Sequence, residues 1–416
     1  MTVLALTSGC GLGLRPARHE PLPGGGYAAF AHYGTNPVID SAEEALVRVG
    51  LSADRASWAL VRHYLDRGRL PPPEAVRVEE CVAAMSPGPD PARSSAPITL
   101  RTALLPSPFR PGWHVLVATV VAPGDAASDE TDATGVIVLG RTPDGALERA
   151  LSALGAELRA GDATELPEIL ERAERVVLVS AGAGLGGPEA QAPLLDAIAR
   201  AHASGVVVSV AGHVGPGLDD ALLDRIAEAG GGLYDLIVPG EEPHLARRLT
   251  RVRGLDDLVA ELRLDPAVVS RWRLVGHESR VVRTAGLAPT GGRLPAGEAI
   301  DLVVEVKLAS PPSASPSPLG RLRLRARDAA LDEALAPALG DDARARAVVV
   351  IAASAEKLRG SFWLKDTTWP ALSAEVERLA SPALRAELGG VIARASALAP
   401  AGDRGERPTH VVRRLP

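Results

Sequence analysis

Short apolar runs alternate with amphipathic helical segments between Gly135 and Val238, and this rhythm constrains the fold more than any other feature of the chain. The predicted strands are residues 136–139, 157–159, 176–179, 206–210 and 234–238. The predicted helices are residues 145–154, 166–173, 189–203 and 219–229. Because the strands are almost continuously rich in Val, Ile and Leu, helices must cover both faces of their sheet. We therefore predict a doubly wound, Rossmann-like α/β domain over residues 134–252.

Strand patterns flank this domain on both sides. Further strands are predicted at residues 98–105, 113–122, 262–278, 299–308 and 321–327. Since the two groups bracket the α/β domain, we expect them to pair with each other across it. The expected β-module is formed by residues 96–133 and 254–328, with the α/β domain inserted between its halves.

Helical patterns dominate both ends of the chain. An N-terminal helical module is predicted over residues 36–86, with helices that begin at Ala42, near Ala53 and at Glu74. Three prolines precede Glu74, which suits a first helical turn. A C-terminal helical module is predicted over residues 329–400, and residues 1–35 are predicted to form an N-terminal tether.

The charges of the chain form no basic face. Among 416 residues there are 45 basic and 51 acidic ones, and only Lys307, Lys357 and Lys365 are lysines. The scattered arginines are not interleaved with aromatic residues, which make up 3% of the chain, so we expect no nucleic-acid partner. No apolar run approaches the roughly 20 residues that a membrane-spanning helix needs.

Two cysteines cannot build a disulfide framework, but one of them has a suggestive context. Cys10 follows Leu4-Ala5-Leu6-Thr7-Ser8-Gly9, and a Gly-, Pro- and Arg-rich stretch follows it, which resembles the end of a bacterial lipoprotein signal. The alternative is a disordered N-terminus. A lipid on Cys10 would be the only membrane attachment and predicts a place in the bacterial cell envelope, periplasmic or at the surface; without it, the cytoplasm is the alternative.

A glycine-rich loop is the strongest indication of catalysis. The segment Gly182-Ala183-Gly184-Leu185-Gly186-Gly187 follows a predicted strand, precedes a helix and satisfies the G-x-G-x-x-G pattern of dinucleotide-binding loops. Such sites also use an acid at the end of the next strand. Here that strand ends in Ser209-Val210-Ala211-Gly212, without a carboxylate. A nucleotide-binding enzyme therefore stands as the alternative to a tight turn.

Other catalytic patterns are weaker. The chain has no phosphate-binding loop, since no lysine follows a glycine-rich loop. It also has no G-x-S-x-G motif, which would place a nucleophilic serine on a tight turn. His213 lies just beyond a predicted strand end, but with no neighbouring acid or nucleophile in sequence it has a structural interpretation, as do His63 and His277. The adjacent acids Asp219 and Asp220 are predicted to cap a helix.

Several segments resemble bacterial YfbK-type von Willebrand factor A-domain proteins. The most specific is Gly68-Arg69-Leu70-Pro71-Pro72-Pro73-Glu74-Ala75-Val76-Arg77-Val78-Glu79-Glu80. The others are residues 56–65, residues 108–113, the stretch Trp272-Arg273-Leu274-Val275-Gly276-His277-Glu278-Ser279-Arg280, and residues 353–361. The resemblance extends from about Asn36 to Leu398.

This resemblance implies a metal-ion-dependent adhesion site whose ligands are disturbed here. The family has Asp-x-Ser-x-Ser after the first strand, a threonine further on and an aspartate after the fourth strand. This chain has Gly140-Arg141-Thr142-Pro143-Asp144 and Ser180-Ala181-Gly182-Ala183 at the first and last of these places, and Thr164 is the threonine candidate. The positions Gly140, Thr142, Asp144, Thr164, Ser180 and Gly182 hold one carboxylate among them, whereas Mg²⁺ prefers octahedral oxygen ligands that include carboxylates. We predict that no metal and no cofactor is bound.

Taken with the resemblance, these patterns predict a non-catalytic protein that binds another protein through a von Willebrand factor A-like domain without a working metal site. The alternative is a nucleotide-binding enzyme that uses the loop from Gly182 to Gly187. A domain that folds but has lost its partner is a third hypothesis.

Overall fold

The structure, a computed structural model, describes residues 17–88, 96–124, 136–140, 145–159, 165–183, 188–282, 287–310, 317–339 and 342–399. In chain order the strands are β1 (Ala17–Pro21), β2 (Tyr27–Ala31), β3 (Ile39–Asp40), β4 (Leu46–Gly50), β5 (Thr99–Pro106), β6 (His114–Val121), β7 (Val136–Gly140), β8 (Glu157–Arg159), β9 (Arg175–Ser180), β10 (Val207–Gly212), β11 (Gly231–Leu236), β12 (Gly254–Leu264), β13 (Val269–Val275), β14 (Val281–Val282), β15 (Gly292–Pro295), β16 (Ala299–Leu308), β17 (Gly320–Arg325), β18 (Ala330–Ala334) and β19 (Ala338–Leu339). The helices are α1 (Ala56–Leu65), α2 (Val78–Met85), α3 (Ala146–Ala153), α4 (Leu166–Leu170), α5 (Pro188–Ala203), α6 (Asp220–Ala229), α7 (Glu242–Thr250), α8 (Ala343–Leu358), α9 (Trp369–Glu377) and α10 (Pro382–Leu398). Short 3-10 helices cover Pro73–Ala75 and Phe362–Leu364.

Five parallel strands form the predicted α/β sheet, in the order β11-β10-β9-β7-β8. Successive residues of a strand point to opposite faces, and both faces are buried here. Val136 and Val138 share a core with α3 and α7, whereas Ile137 and Leu139 share one with α4, α5 and α6. The doubly wound α/β prediction is confirmed, because the continuously apolar strands require this double cover.

Strands from both sides of the α/β domain pair with each other, as expected. One sheet has the order β19-β5-β6-β16-β13-β3, so β6 from before the domain lies beside β16 from after it. A second sheet has the order β14-β4-β12-β17-β18, with β15 also paired to β12. Leu116 and Val304 of the first sheet share a core with Val49 and Leu262 of the second.

The strand character predicted for residues 262–278 is confirmed, but these residues do not form one continuous strand. The chain instead forms β12 and β13, separated by a turn at Asp265. The amide nitrogens of Val268 and Val269 donate to the carbonyl oxygen of Asp265 at 3.0 and 2.8 Å, which reverses the chain. The two strands therefore belong to different sheets.

The helix predicted to begin at Ala42 is also wrong. A carboxylate oxygen of Asp40 accepts a hydrogen bond from the amide of Ala42 at 3.0 Å, but this closes a turn between β3 and β4. Val47 and Val49 are buried, whereas Leu46 and Arg48 are only partly buried, which is the period-two pattern of a strand. Their pairing with β12 outweighs the local helical tendency.

Part of the predicted N-terminal tether is structured. Strands β1 and β2 form an antiparallel hairpin in which Phe30 is fully buried. The amide of Ala29 donates to the carbonyl oxygen of Leu218 at 2.8 Å, so the hairpin is joined to the loop before α6. Burial of Phe30 and its neighbours in the α/β core is a tertiary effect that the Gly- and Pro-rich composition does not reveal.

Helices cover the face of the first sheet that points away from the second sheet. The predicted helix near Ala53 is α1, whereas the one predicted at Glu74 is a 3-10 turn followed by α2. Helix α8 is capped by Asp342, which accepts from the amide of Ala345 at 2.9 Å. Its apolar face packs with α2, α9 and α10 and with β5 and β6. None of the helices among the described residues has the length and apolar composition needed to cross a membrane.

Candidate functional site

The carboxyl edge of the parallel sheet between β7 and β9 is the place where such a fold binds ligands. From β7 the chain first moves to β8 on one side and then returns past β7 to β9, β10 and β11 on the other. In doubly wound folds, ligands bind at such a switch point, beyond the carboxyl ends of the strands. Gly140 and Ser180 end these strands, so the structure brings together two of the positions predicted from sequence.

Gly140 is held in a conformation that excludes a side chain. Its φ is +107°, and a Cβ atom built on it would lie 2.0 Å from the carbonyl oxygen of Val179 in the neighbouring strand. The same two residues are register partners in the sheet. An aspartate cannot replace Gly140 unless the backbone moves. Thr142, Asp144 and Thr164 lie outside the described residues.

Ser180 and Gly182 build a tight turn after β9. The hydroxyl oxygen of Ser180 accepts a hydrogen bond from the amide of Gly182 at 2.9 Å. Gly182 has a φ of +81°, and a Cβ there would lie 2.8 Å from Cβ of Asp219. Both features belong to the turn itself, which supports the tight-turn interpretation of the loop. Ala183 is described, whereas residues 184–187 of the glycine-rich loop lie outside the described residues.

Asp219 brings a carboxylate to this edge, which the sequence interpretation treated only as a helix cap. The cap is confirmed, since Asp219 Oδ1 accepts from the amide of Leu222 at 3.0 Å. Its own amide donates to the carbonyl oxygen of Ala181 at 2.7 Å, which fixes it behind the turn. Burial raises the pKa of Asp219. Nothing in the sequence indicates that the turn at Ala181 and Gly182 lies next to Asp219 in the folded protein.

The histidines singled out from sequence have different surroundings. The amide of His213 donates to the carbonyl oxygen of Ser180 at 3.3 Å, and burial lowers the pKa of its half-buried ring. His63 Nε2 lies 3.2 Å from the carbonyl oxygen of Pro23. His277 has a φ of +60° and is 1% exposed, and burial lowers its pKa to about 4. These contacts fit the structural interpretation.

Asp220 does not cap α6, contrary to the prediction. Its carboxylate accepts hydrogen bonds from Arg77 at 2.6 and 3.1 Å and from the hydroxyl of Tyr234 at 2.9 Å. All three side chains are buried. Asp220 therefore joins the α/β domain to the residue before α2, which lies in the segment that carries the most specific family resemblance.

A buried group of three carboxyls lies next to this contact. Oxygens of Asp54, Glu80 and Asp224 lie within 4.8 Å of one another, which is close enough to surround a cation. Arg280 supplies positive charge there, because its Nη2 atom lies 2.9 Å from Asp54 Oδ2 and 3.7 Å from Asp224 Oδ1. The geometry therefore fits a guanidinium-neutralised ionic network. The sequence interpretation missed it, since the three acids come from distant parts of the chain.

Glu80 has the most perturbed environment of the three. Its oxygens accept from the amide of Ser57 at 2.7 Å and from Arg77. Burial and the neighbouring carboxylates of Asp224 and Asp54 raise the pKa of Glu80 to about 8, although Arg77 opposes this shift. Burial thus favours the protonated form of this carboxyl more than in a solvent-exposed glutamate, whereas the ion pair with Arg77 favours the charged form.

A second buried network joins β13, β16 and α8. Arg273 donates to Glu305 at 2.7 Å and to Glu356 at 2.8 Å, and Arg359 donates to Glu278 at 2.8 Å. Arg273, Glu278, Glu356 and Arg359 all belong to the segments that resemble the family. Two of the segments that resemble the family thus contribute residues to this buried network.

Comparisons with known proteins support the resemblance to YfbK-type von Willebrand factor A proteins. A family model described as von Willebrand factor matches residues 26–117, which run from the hairpin through α1 and α2 to the middle of β6. The uncharacterized protein YfbK of Escherichia coli strain K12 is 26% identical over 441 aligned residues, covering 83% of this chain and 76% of YfbK.

Two solved structures also show similarity. A von Willebrand factor type A protein from Catenulispora acidiphila has 15% identity and a TM-score of 0.37, over 72% of this chain and 88% of that one. The human COPII-coat protein Sec24c has 14% identity and a TM-score of 0.26, over 77% of this chain and 48% of that one.

Proposed function

The matched family model and the similarity to YfbK support a YfbK-type von Willebrand factor A protein, and from this premise we propose that the chain is a non-catalytic protein that binds another protein without a bridging metal ion. The observation that carries the proposal is the close approach of Gly140 to the carbonyl oxygen of Val179. The family resemblance implies that the leading carboxylate of a metal-dependent adhesion site would stand at Gly140, and the backbone there leaves no room for a side chain.

Two neighbouring oxygens are committed to other roles. The Ser180 hydroxyl stabilises the turn at Gly182, and the Asp219 carboxylate caps α6. Since Mg²⁺ dehydrates reluctantly and favours several oxygen ligands in a near-octahedral arrangement, hydroxyls and a capping carboxylate compete poorly with water for it. These contacts support recognition by shape and polarity rather than through a shared cation.

An exposed aromatic residue marks the proposed binding surface. Tyr27 is 61% exposed at the start of β2, and its carbonyl oxygen accepts from the amide of Gly217 at 3.2 Å. It therefore lies beside the loop that leads from His213 to α6 at the carboxyl edge of the sheet. Tyrosine is enriched among the residues that dominate protein interfaces. We assign the partner to this edge.

Calorimetric titration tests the metal-free part of the proposal. Mg²⁺, Mn²⁺ and Ca²⁺ should each give only the heat of dilution. A saturable site of micromolar affinity for any of them would overturn it.

Site-specific cross-linking tests the binding part. A photoreactive amino acid at position 27 or 213 should capture one partner protein from bacterial envelope extracts. The same group at Leu287, which is 53% exposed, serves as the control. Capture from all three positions, or from none, would contradict the proposed surface.

The location and the alternative enzyme are tested separately. We propose attachment to the envelope through a lipid on Cys10, which metabolic labelling with a radioactive fatty acid and loss of the label in Cys10→Ala would support; an unlabelled protein in the cytoplasmic fraction would contradict it.

Binding of NAD(H), NADP(H) or ATP in fluorescence titrations would favour the nucleotide-binding enzyme instead.

A further inference from the structure

Arginine side chains gather on the outer face of the second sheet. Leu262, Leu322 and Leu324 point into the core that this sheet shares with the first, so the residues that alternate with them lie on the opposite side. The arginines of this side, called here the arginine face, are Arg48 of β4, Arg263 of β12, and Arg321, Arg323 and Arg325 of β17. The prediction that the charges form no basic face is wrong for this sheet, because pairing of strands that lie far apart along the chain brings these residues together.

Strand register fixes the spacing of the guanidinium groups. Arg321, Arg323 and Arg325 occupy every second position of β17, so they follow one another at intervals of about 7 Å. Arg263 is the register partner of Arg321 on the neighbouring strand. Like charges that stand directly opposite each other in a sheet are destabilising. The pair of Arg263 and Arg321 therefore weakens the folded state unless an anion lies between them.

The carboxylates of the arginine face are each shared by two arginines. Glu261 pairs with Arg48 at 2.9 Å and approaches Arg323 at 3.8 Å. Asp332 of β18 pairs with Arg321 at 2.9 Å and with Arg323 at 3.0 Å. Two acids thus serve three arginines.

Arg263 and Arg325 have no such partner. Both are exposed, and no hydrogen bond or ion pair joins either side chain to another residue in the part of the chain that the structure describes. Asp265, two positions beyond Arg263, turns elsewhere, since its Oδ1 atom accepts from the amide of Ala267 at 2.9 Å. The guanidinium groups of Arg263 and Arg325 therefore keep their donors available for a partner.

The composition of the sheet favours one class of anion. None of its six strands contains an aromatic residue, whereas proteins that bind single-stranded nucleic acids stack the bases on aromatic side chains. None of the exposed large apolar side chains among the described residues lies on these strands, so the face offers nothing to insert into a lipid surface. Planar guanidinium groups match carboxylates, which they bind through paired hydrogen bonds. An acidic polypeptide fits this face best.

We propose that the arginine face binds an extended acidic segment of a partner protein, with carboxylates at alternate residues. An extended chain places every second side chain on one side, at the same interval as the arginines of β17. One carboxylate lies between Arg263 and Arg321 and removes their repulsion, and another, four residues along the segment, pairs with Arg325. The face belongs to the β-module and is separate from the edge at Gly140 and Ser180, so it does not depend on the function proposed for that edge.

Fluorescence anisotropy with the full chain and a labelled peptide tests the proposal. The peptide has glutamate at every second position and threonine between, and it should bind saturably. Its affinity should fall as salt is added, because the contacts are exposed ion pairs. The same peptide with glutamine for glutamate should not bind. No saturable binding up to about 1 mM, the weak end of specific affinities, or equal binding of both peptides, would overturn the proposal.

Replacement of the two unpaired arginines tests the position of the site. Arg263→Gln combined with Arg325→Gln should weaken binding of the glutamate peptide by about fivefold, since each exposed ion pair contributes only a modest free energy. The melting temperature should not fall, because neither side chain has a described partner and the opposed pair is relieved. Arg247→Gln combined with Arg271→Gln is the matched control, with the same change of charge at exposed positions of α7 and β13. An equal loss of affinity in the two double variants would contradict the proposed face.

Competition identifies the class of anion. Unlabelled glutamate peptide should displace the labelled one at a lower concentration of negative charge than phosphatidylserine vesicles or single-stranded oligodeoxythymidine. More effective displacement by the vesicles or by the oligonucleotide would assign the face to lipid or to nucleic acid and overturn the proposal.

Discussion

The Nη2 atom of Arg280 lies 2.9 Å from the carboxylate of Asp54, so a residue that follows β13 neutralises an acid that precedes α1 inside the protein. The same guanidinium lies 3.7 Å from Asp224 on α6. Three distant parts of the chain therefore meet at one positive charge. Arg280 and Asp54 are almost completely buried. The three segments can therefore pack together at low cost only when the guanidinium and the carboxylates pair.

Replacement of Arg280 by methionine should destabilise the protein strongly. The change leaves Asp54 and Asp224 buried without their cation, and breaking such a pair costs about 3–5 kcal/mol. Urea unfolding followed by circular dichroism measures the loss. Arg263→Met on the exposed face of β12 is the control and should change stability by about 0.5 kcal/mol or less. Equal effects of the two substitutions would contradict the role of Arg280.

Stability should fall as pH rises toward 8 because of Glu80. Burial raises its pKa to about 8 in the folded protein, above the ordinary value of 4.5, so between these pH values the folded state binds more protons than the unfolded state. The contribution is complete below the unfolded pKa and is lost as pH rises through the folded pKa, by up to about 1.4 kcal/mol per pH unit. Glu80→Gln, which mimics the protonated form, should show a flatter profile. Parallel profiles from pH 5 to 8.5 would refute this.

Glu356 should act in the opposite direction. Burial opposes its ionisation, but Arg273 and Arg359 lower its pKa to about 2 in the folded protein. Its contribution is present above the unfolded pKa of 4.5 and is lost as pH falls toward 2. Glu356→Gln should cost roughly 3 kcal/mol at pH 7, and the difference from the natural protein should shrink on acidification. A difference that stays constant between pH 7 and pH 3 would be inconsistent with the ion pairs.

Gly140→Ala should be more destabilising than Gly155→Ala. Both glycines have positive φ, +107° and +94°, but a Cβ at Gly155 meets nothing within 4 Å, whereas one at Gly140 meets the carbonyl oxygen of Val179. Gly155→Ala should cost about 1–2 kcal/mol from backbone strain alone. Gly140→Ala should cost at least about 2 kcal/mol more, since the strand pair must separate. Thermal unfolding of the two variants measures the difference, and similar melting temperatures would show that β7 and β9 can adjust.

Local sequence patterns predicted much of the architecture, because the spacing of apolar residues along a strand or helix indicates which of its faces is buried. Continuous apolar strands separated by helices predicted the doubly wound domain, and the alternating stretches around it predicted strands that pair across it. The same approach failed for β3 and β4, because only pairing with β12 and β13 reveals their period of two. It also failed for the hairpin of β1 and β2, whose few apolar residues are buried by the α/β core.

The α/β fold class with flanking strands and helices and the resemblance to YfbK-type proteins followed from the sequence alone, and the same resemblance predicts that Gly140 stands where the family has its leading aspartate. The folded structure is needed to see that Gly140 has no space for a side chain, that Asp220 pairs with Arg77, and that the arginines of α7 lie near Arg55. Periodicity and motifs depend on neighbours along the chain. Electrostatic networks depend on the distances between side chains that the fold alone brings together, and in this protein the pair of Arg280 and Asp54 joins residues 226 positions apart.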